Sequence, residues 1–188
     1  MNNDCKSACA ISETLLSHAW GIAESSNARA VFVYSDAIDG KKPSVPESID
    51  ERICYVAKTI DEEQKFKEAG ERVIRVPNVA LNRVGQVKIA IFIAISRGIV
   101  KFGDTIVCLS GPAKSRNLDT LIVTEVGREY EMFARLDKTD DMPRSINPEI
   151  IERVIDVATE LAKEGREGRH VGALFVLGDT EKVLPLTK

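Results

Sequence analysis

The chain has 188 residues, of which 44% are hydrophobic and 29% charged, with a formal net charge of −3 and a sequence pI of about 5.6. This length allows one ordinary domain plus an appendage, with a real hydrophobic core. The acidic balance argues against a protein that binds nucleic acid by neutralising phosphates. No apolar run approaches the roughly 20 residues that span a bilayer, and the polar start MNNDCKSAC is not a signal peptide. We therefore expect a cytoplasmic protein with no nucleic-acid and no membrane partner.

The first third of the chain alternates between helix and strand. Residues 10–25 place apolar side chains at helical spacing, and residues 30–34 (AVFVY) follow as a strand. The polar connection 35–49 is long for a domain loop and carries two prolines, which is typical of a functional or a disordered segment. Residues 53–57 (ICYVA) predict a second strand.

A capping box opens the next helix. The pattern Thr59-x-x-Glu62 satisfies the first backbone N–H groups of a helix, and Gly70 ends that helix. Residues 72–76 (RVIRV) then predict a third strand, ended by a proline. The neighbouring acids Glu62 and Glu63 are interpreted as part of a solvated face.

The stretch 86–111 organises the rest of the chain. Residues 87–95 are apolar except for Lys88, which predicts a helix buried on more than one side. Gly98 ends this helix because glycine reaches the left-handed conformation without a Cβ penalty. A Gly-Asp turn then leads into a buried strand over residues 105–109.

Residues 118–126 (LDTLIVTEV) predict a further strand. The turn before it is shorter than the roughly dozen residues that a parallel crossover needs, so this pair should be an antiparallel hairpin. We therefore predict a three-layer α/β fold: a mostly parallel sheet with helices on both faces and an antiparallel terminal hairpin.

The last third is separate from this fold. Residues 128–146 are charged and predict a linker, and Asn147-Pro148-Glu149 is a strong helix start. After this helix, residues 171–177 predict an apolar strand that is disordered, pairs with the α/β sheet or exchanges between chains. We predict an α/β domain at 1–127, a linker at 128–146 and an incomplete second domain at 147–188.

Candidate ligand residues follow from the predicted sheet. Ligands of open α/β sheets bind at the carboxyl ends of the parallel strands. This rule selects five residues as the candidate effector site, with an ordinary loop role as the alternative: Ser35, Asp36, Asn78, Ser110 and Gly111.

Catalytic and metal chemistry find little support in the sequence. The two histidines lie far apart, so neither a metal site nor a Ser/His/Asp arrangement can be assembled around them. Cys5 and Cys9 fall in a frayed N-terminus, whereas Cys54 and Cys108 lie in apolar segments as small hydrophobes. We predict no catalytic residue, no metal ligand and no cofactor in this chain, and the sequence leaves a disulfide open.

Residues 10–127 resemble the C-terminal α/β domain of pyruvate kinase. The run SRGIVKFGDTIVCLSGP carries the likeness, with its glycine-ended helix, Gly-Asp turn and strand, and the hairpin strand TLIVTEVG continues it. In that family the loop after the first strand cradles the phosphate of an effector. Here the loop begins SDAIDG, whose two carboxylates would repel a phosphate, so we do not expect the same effector.

Residues 157–179 resemble the opening helix and strand of a diadenylate cyclase domain, through the run GREGR-x-x-G-x-L-F-V-L-G-D. The order of the two resemblances is that of an archaeal-type diadenylate cyclase. That family carries its chemistry on Asp-Gly-Ala and Arg-His-Arg motifs. Here Asp39-Gly40 is followed by Lys41, and Arg169-His170 by Val171, so no catalytic residue is transferred.

Two functions follow as expectations. The first is a non-catalytic regulatory or oligomerisation region of a diadenylate cyclase, with the chain ending at the start of the cyclase domain. ATP and a divalent metal, Mn or Mg, would then act only in the missing domain, and this chain would form a homodimer. The second is a stand-alone regulatory module that binds a small, phosphorylated metabolite.

Overall fold

A computed structural model describes residues 3–38, 42–78, 82–112, 115, 117–128, 147–164, 172–178 and 180–186. The chain divides into two units, Met1–Asp140 and Asp141–Lys188, and each is described here by itself. In the first unit the elements are α1 (Asn3–Ser25), β1 (Ala30–Tyr34), a 3-10 turn (Ser35–Ala37), α2 (Glu47–Asp50), β2 (Ile53–Ala57), α3 (Ile60–Glu68), β3 (Val73–Arg75), α4 (Arg83–Ser96), β4 (Thr105–Ser110) and β5 (Thr120–Glu125). In the second unit they are α5 (Pro148–Glu164), α6 (Thr180–Val183) and a 3-10 turn (Leu184–Leu186).

The described strands form one five-stranded sheet in the order β3-β2-β1-β4-β5. The pairs β3/β2, β2/β1 and β1/β4 are parallel, and only β5 is antiparallel to its neighbour β4. This is the predicted α/β fold, with its antiparallel hairpin at the sheet edge. β1 and β2 are buried along their whole length because they lie inside a sheet that helices cover.

Helix α4 lies on the face of the sheet that carries Phe32. The register places Phe32 opposite Cys54 on one side and Cys108 on the other, so the three side chains share this face. The rings of Tyr55 and Phe66 stack, so α3 covers the face of Tyr55, and Cys54 lies on the other face because side chains alternate along β2. The connection from β3 to β4 runs back across the sheet, so a right-handed crossover places α4 on the face of Cys54 and Phe32. The prediction of a helix buried on more than one side is confirmed, since every side chain from Gly85 to Arg97 is buried or half-buried.

The structure confirms the helix ends that were predicted from capping residues and from glycines. The hydroxyl of Thr59 accepts from the Glu62 backbone N–H, and the Glu62 carboxylate accepts from the Thr59 N–H, which completes the capping box of α3. Gly70 and Gly98 end α3 and α4 with φ of +76° and +68°. α1 begins at Asn3, seven residues before the predicted start at residue 10, so Cys5 and Cys9 lie in a helix and not in a frayed terminus.

The interpretation of Glu62 and Glu63 as a solvated face is wrong. Glu63 is 8% exposed, and its carboxylate contacts Lys67 at 2.7 Å, the Arg75 Nε at 3.2 Å and Arg97 at 3.6 Å. These cations come from α3, β3 and the end of α4, so the carboxylate joins three elements. The sequence analysis identified none of these partners; only Lys67, four residues along the same helix, is near Glu63 in sequence.

The second unit contains the predicted helix but not the predicted strand. The Asn147 side chain accepts from the Glu149 backbone N–H at 3.0 Å, and Pro148 is the first helical residue, as the sequence indicated. Residues 172–178 have no regular secondary structure, so the strand prediction for 171–177 is wrong over its described part. A strand needs a partner for its backbone groups, and the described strands pair only with one another. Leu174 is instead 91% exposed.

Candidate functional site

The strand order reverses direction between β1 and β4. From β1 the chain moves one way to β2 and β3, and α4 then returns it to the other side of β1. In open α/β sheets this switch point is where ligands bind, at the carboxyl ends of the strands. Ser35 and Asp36 follow β1 here, and Ser110 and Gly111 end β4. Asn78 follows β3 at the same edge, but two strands further along, and it is exposed.

Gly111 serves packing between two loops. A Cβ at this position would overlap the Asn117 carbonyl oxygen and would lie 3.1 Å from the Ala37 Cβ. The turn after β1 and the loop between β4 and β5 therefore pack closely against each other. Ser110 is also buried, so neither residue presents a side chain to solvent.

Ser35 joins the end of β1 to its neighbours. Its hydroxyl lies 3.1 Å from the Val56 carbonyl and 3.2 Å from the Glu62 Oε2, and it has one proton to donate to either. The same Glu62 oxygen accepts the backbone N–H of Lys58 at 2.9 Å. Ser35 is fully buried, so its role here is to position the turn that follows.

Asp36 forms a short ion pair with Lys58. The Asp36 Oδ2 and the Lys58 Nζ are 2.6 Å apart, both side chains are nearly buried, and the ammonium lies 5.7 Å from the Tyr34 ring centroid. This pair places a cation against Asp36. Asp39, the second acid in the argument against a phosphate, lies outside the described residues, so that expectation stays a prediction. The Asp36 Oδ1 is buried and has no hydrogen-bond partner in the part of the chain that the structure describes.

Arg83 forms a second ion pair at the same edge. Its Nη2 donates to the Asp119 Oδ2 at 2.7 Å, and the Asp119 backbone N–H donates to the Ser110 carbonyl at 3.1 Å. Arg83 is the first residue of α4, which brings it to the carboxyl edge. The Arg83 Nη1 is buried, and no described residue accepts from it.

These two ion pairs lie on one side of the sheet. Tyr34 shares the face of Phe32 because side chains alternate along β1, and the right-handed crossover through α4 covers that face. The Lys58 ammonium contacts the Tyr34 ring, and Arg83 begins α4. We call Asp36, Lys58, Arg83 and Asp119 the carboxyl-edge cluster. Within this cluster the Asp36 Oδ1 is a buried acceptor and the Arg83 Nη1 a buried donor, and neither has a hydrogen-bond partner among the described residues. A buried polar group without a partner lowers the stability of the folded protein by about 1–3 kcal/mol.

Sequence reasoning missed three members of this cluster. Lys58 directly follows the apolar run of β2, so the rule that selected Ser35 and Asp36 would also have selected it. Arg83 and Asp119 carry no such signal, because their pairing joins residues that are far apart in sequence. Among the described residues no three His, Cys, Asp or Glu side chains come together as a metal site would require. No helix in the described ranges has both the length and the apolar character needed to cross a bilayer.

Comparison with known proteins matches most of the first unit to a known family. Residues 12–133 match the family described as the probable sensor domain DacZ_P, a range that includes the whole carboxyl-edge cluster. The chain belongs to this family. A diadenylate cyclase of Methanocaldococcus jannaschii is 32% identical to this chain over 114 residues, which are 57% of this chain and 35% of that protein. A diadenylate cyclase of Haloferax volcanii is 31% identical over 119 residues, which are 61% of this chain and 41% of that protein.

These relatives confirm the predicted resemblance to diadenylate cyclases, and the chain matches only 35% and 41% of their lengths. Among solved structures, a pyruvate kinase from Cryptosporidium parvum superposes with a TM-score of 0.47 and 16% identity, covering 61% of this chain and 22% of that one. We assign the α/β fold from the order of the strands in this chain's own sheet.

Proposed function

We propose that this chain is the sensor region of a diadenylate cyclase. It binds a small metabolite at the carboxyl edge of its sheet and adjusts the rate at which the cyclase joins two ATP molecules into cyclic di-AMP. The observation that carries the proposal is the match of residues 12–133 to a probable sensor domain. The two relatives named diadenylate cyclase supply the enzyme that such a sensor would serve.

The geometry supports a binding role at the switch point. Asp36 and Arg83 are each held by an ion pair, so their remaining polar atoms are fixed in place before a ligand arrives. Preorganised groups lose little entropy on binding, which favours selective recognition of a small molecule.

The cyclase chemistry itself is assigned to residues outside this chain. The sequences Asp-Gly-Ala and Arg-His-Arg do not occur among its 188 residues. The described residues offer no cluster that fits the expected Mn or Mg ion, so we assign no residue to that metal or to ATP. Incubating the chain with ATP and Mn(II) should therefore give no cyclic dinucleotide by chromatography.

The regulatory role is tested in a polypeptide that joins these residues to a cyclase domain. Cyclic di-AMP production is measured with and without a metabolite that raises the melting temperature of the chain. We expect the metabolite to change the rate, and Asp36→Ala or Arg83→Gln to abolish that change. Arg128→Gln, which alters an exposed ion pair with Glu125, is the control. A rate that no stabilising metabolite alters would contradict the proposal.

We also propose self-association through the second unit. Its described residues expose large apolar side chains, and burying them against a second copy would remove that area from water: Ile150, Leu161, Leu174, Val176 and Leu184. Light scattering should give the mass of a dimer, and Leu161→Asp with Leu174→Asp should give a monomer. A wild-type monomer at high concentration would contradict this. Location in the cytoplasm remains a prediction from the sequence.

A stand-alone metabolite-binding module is the second candidate. The first unit contains all five described strands and so has a core of its own. The two functions differ in one result: a stand-alone module would bind its metabolite without any effect on cyclic di-AMP production.

A further inference from the structure

The unused atoms of the carboxyl-edge cluster define what kind of ligand fits it. Arg83 is always protonated, so its Nη1 requires an acceptor, and a planar guanidinium prefers a carboxylate or a phosphate. The Arg83 Nη2 already donates to the Asp119 carboxylate, whereas Nη1 remains for an external anion. The side chain as a whole is 35% exposed, but its Nη1 atom is buried, so an anion that binds Nη1 must first displace the atoms that cover it.

Asp36 selects the opposite chemistry. Its Oδ2 accepts from Lys58, and an ionised carboxylate has only acceptors, so the Oδ1 requires a donor. A hydroxyl or an ammonium group supplies one, whereas a second anion at this position would be repelled. The Arg83 guanidinium repels a cation in the same way, so the two positions orient a ligand with unlike ends.

We propose that the carboxyl-edge cluster binds a small metabolite with an anionic end and a hydrogen-bond-donating end. Arg83 binds the anionic group, a carboxylate or a phosphate, and Asp36 accepts from a hydroxyl or an ammonium group of the same molecule. Lys58 and Asp119 hold these two side chains in position. This assignment rests on the proposed sensor function and names its ligand class.

The test is isothermal titration of the full chain with matched probes. D-Glycerate and L-serine carry a carboxylate with a donor, and glycerol 3-phosphate carries a phosphate with donors. Propionate, methyl phosphate and glycerol each carry one end only. We expect at least one two-ended probe to bind tenfold or more tightly than the corresponding one-ended probes, and its anion distinguishes carboxylate from phosphate.

Variants of Arg83 and Asp36 test which residue binds which end of the ligand. Arg83→Gln should weaken the two-ended probe at least tenfold, as should Asp36→Asn, which removes the carboxylate charge. Arg128→Gln and Asp50→Asn, the same changes in the exposed pairs Arg128–Glu125 and Lys42–Asp50, should leave binding unchanged. If Arg83→Gln does not fold, the Arg83 Nε–H resonance of the wild-type chain should shift when the probe is added.

Two results would overturn the assignment. One is a two-ended probe that binds no better than its one-ended counterparts. The other is binding that Arg83→Gln leaves unchanged, or a wild-type Arg83 resonance that does not move. Either result leaves the sensor role standing if another metabolite alters cyclic di-AMP production, so the two proposals fail separately.

Discussion

The charge of Glu63 depends on cations from three elements. Burial raises the pKa of this carboxyl, but the hydrogen bond and charge of Lys67, together with the charges of Arg97 and Arg75, outweigh burial, and the net pKa is lowered. The folded protein therefore favours ionised Glu63 more than the unfolded chain does. The contribution to stability is complete above the unfolded value of about 4.5 and is lost as the pH falls through the lower folded value.

Replacing Glu63 by Gln should show this dependence. Glu63→Gln removes the charge-assisted bonds, so we expect the free energy of unfolding at pH 7 to fall by about 1–3 kcal/mol. The difference from wild type should shrink as the pH falls below the unfolded value of about 4.5 and through the lower folded value. Urea unfolding at a series of pH values measures both effects. Glu68→Gln, on the exposed side of the same helix, is the control. A difference that stays constant with pH would contradict the assignment.

The cysteines should separate by reactivity. Desolvation raises the pKa of the Cys54 thiol to about 12 and raises that of Cys108 as well, whereas Cys9 is exposed. Only the thiolate reacts with maleimides and disulfide reagents, so Cys9 should be modified first at pH 8. Cys54 and Cys108 should react only after denaturation. Peptide mass spectrometry after timed labelling measures this, and labelling of Cys54 in the native protein would show that β2 opens.

At the scale of elements, close backbone packing fixes the start of the connection between β4 and β5, at Gly111. It lies against the turn that follows β1, and Gly111 allows the contact because it lacks a side chain. The position of that turn sets the position of Asp36, which it contains. The loop and the carboxyl-edge cluster are therefore coupled through the backbone.

Two glycine-to-alanine substitutions should have opposite effects. In Gly111→Ala the new Cβ overlaps the Asn117 carbonyl, so the free energy of unfolding should fall by about 1–3 kcal/mol. In Gly21→Ala, on α1, the Cβ meets no described atom nearby, and helix propensity should stabilise the protein by up to about 1 kcal/mol. Urea denaturation of both variants measures the difference. Equal stability of the two variants would show that the β4–β5 loop moves freely.

At the scale of the whole molecule, the buried hydrophobic side chains of the described ranges lie in the first unit, apart from Ile151. Every large side chain that is fully buried in the described ranges lies there, including Tyr34, Tyr55 and Leu109. The aromatic rings of Tyr55 and Phe66 stack at 4.2 Å between their centroids, which joins α3 to the sheet. Tyr55 and Phe66 both belong to the first unit.

A chain that ends at residue 140 should therefore fold. We expect one cooperative urea transition, with the midpoint of the corresponding transition in the full chain, because the strands and their covering helices are retained. Far-UV circular dichroism and tryptophan fluorescence of Trp20, which is buried, should report the same midpoint. Two separate midpoints, or no cooperative transition, would show that the first unit needs the second.

Sequence reasoning succeeded where local chemistry decides the outcome. Thr59 with Glu62, Gly98, and Asn147 with Pro148 each fix a helix end through bonds to their immediate neighbours. The β1 and β2 strands were predicted with their exact bounds because short β-branched and aromatic runs are bounded by polar segments.

The sequence did not predict the ion pairs between residues that are distant along the chain. Asp36 with Lys58 and Arg83 with Asp119 are joined only by the strand order, which brings distant loops to one edge. The sequence located that edge but not the ion pairs that define its chemistry. The apolar run 171–177 reads as a strand by composition, yet strand formation also requires a partner, and composition does not supply one.

Arg97 determines where the sheet can grow. Its Nη1 donates to the Val73 carbonyl at 2.9 Å, and in the parallel ladder with β2 this carbonyl points away from the sheet. A foreign strand that approached β3 would have to displace a guanidinium that Glu63 holds from behind. Arg97 therefore blocks the pairing of another strand with the free edge of β3. A chain that extends this sheet must pair with β5, the strand at its other edge.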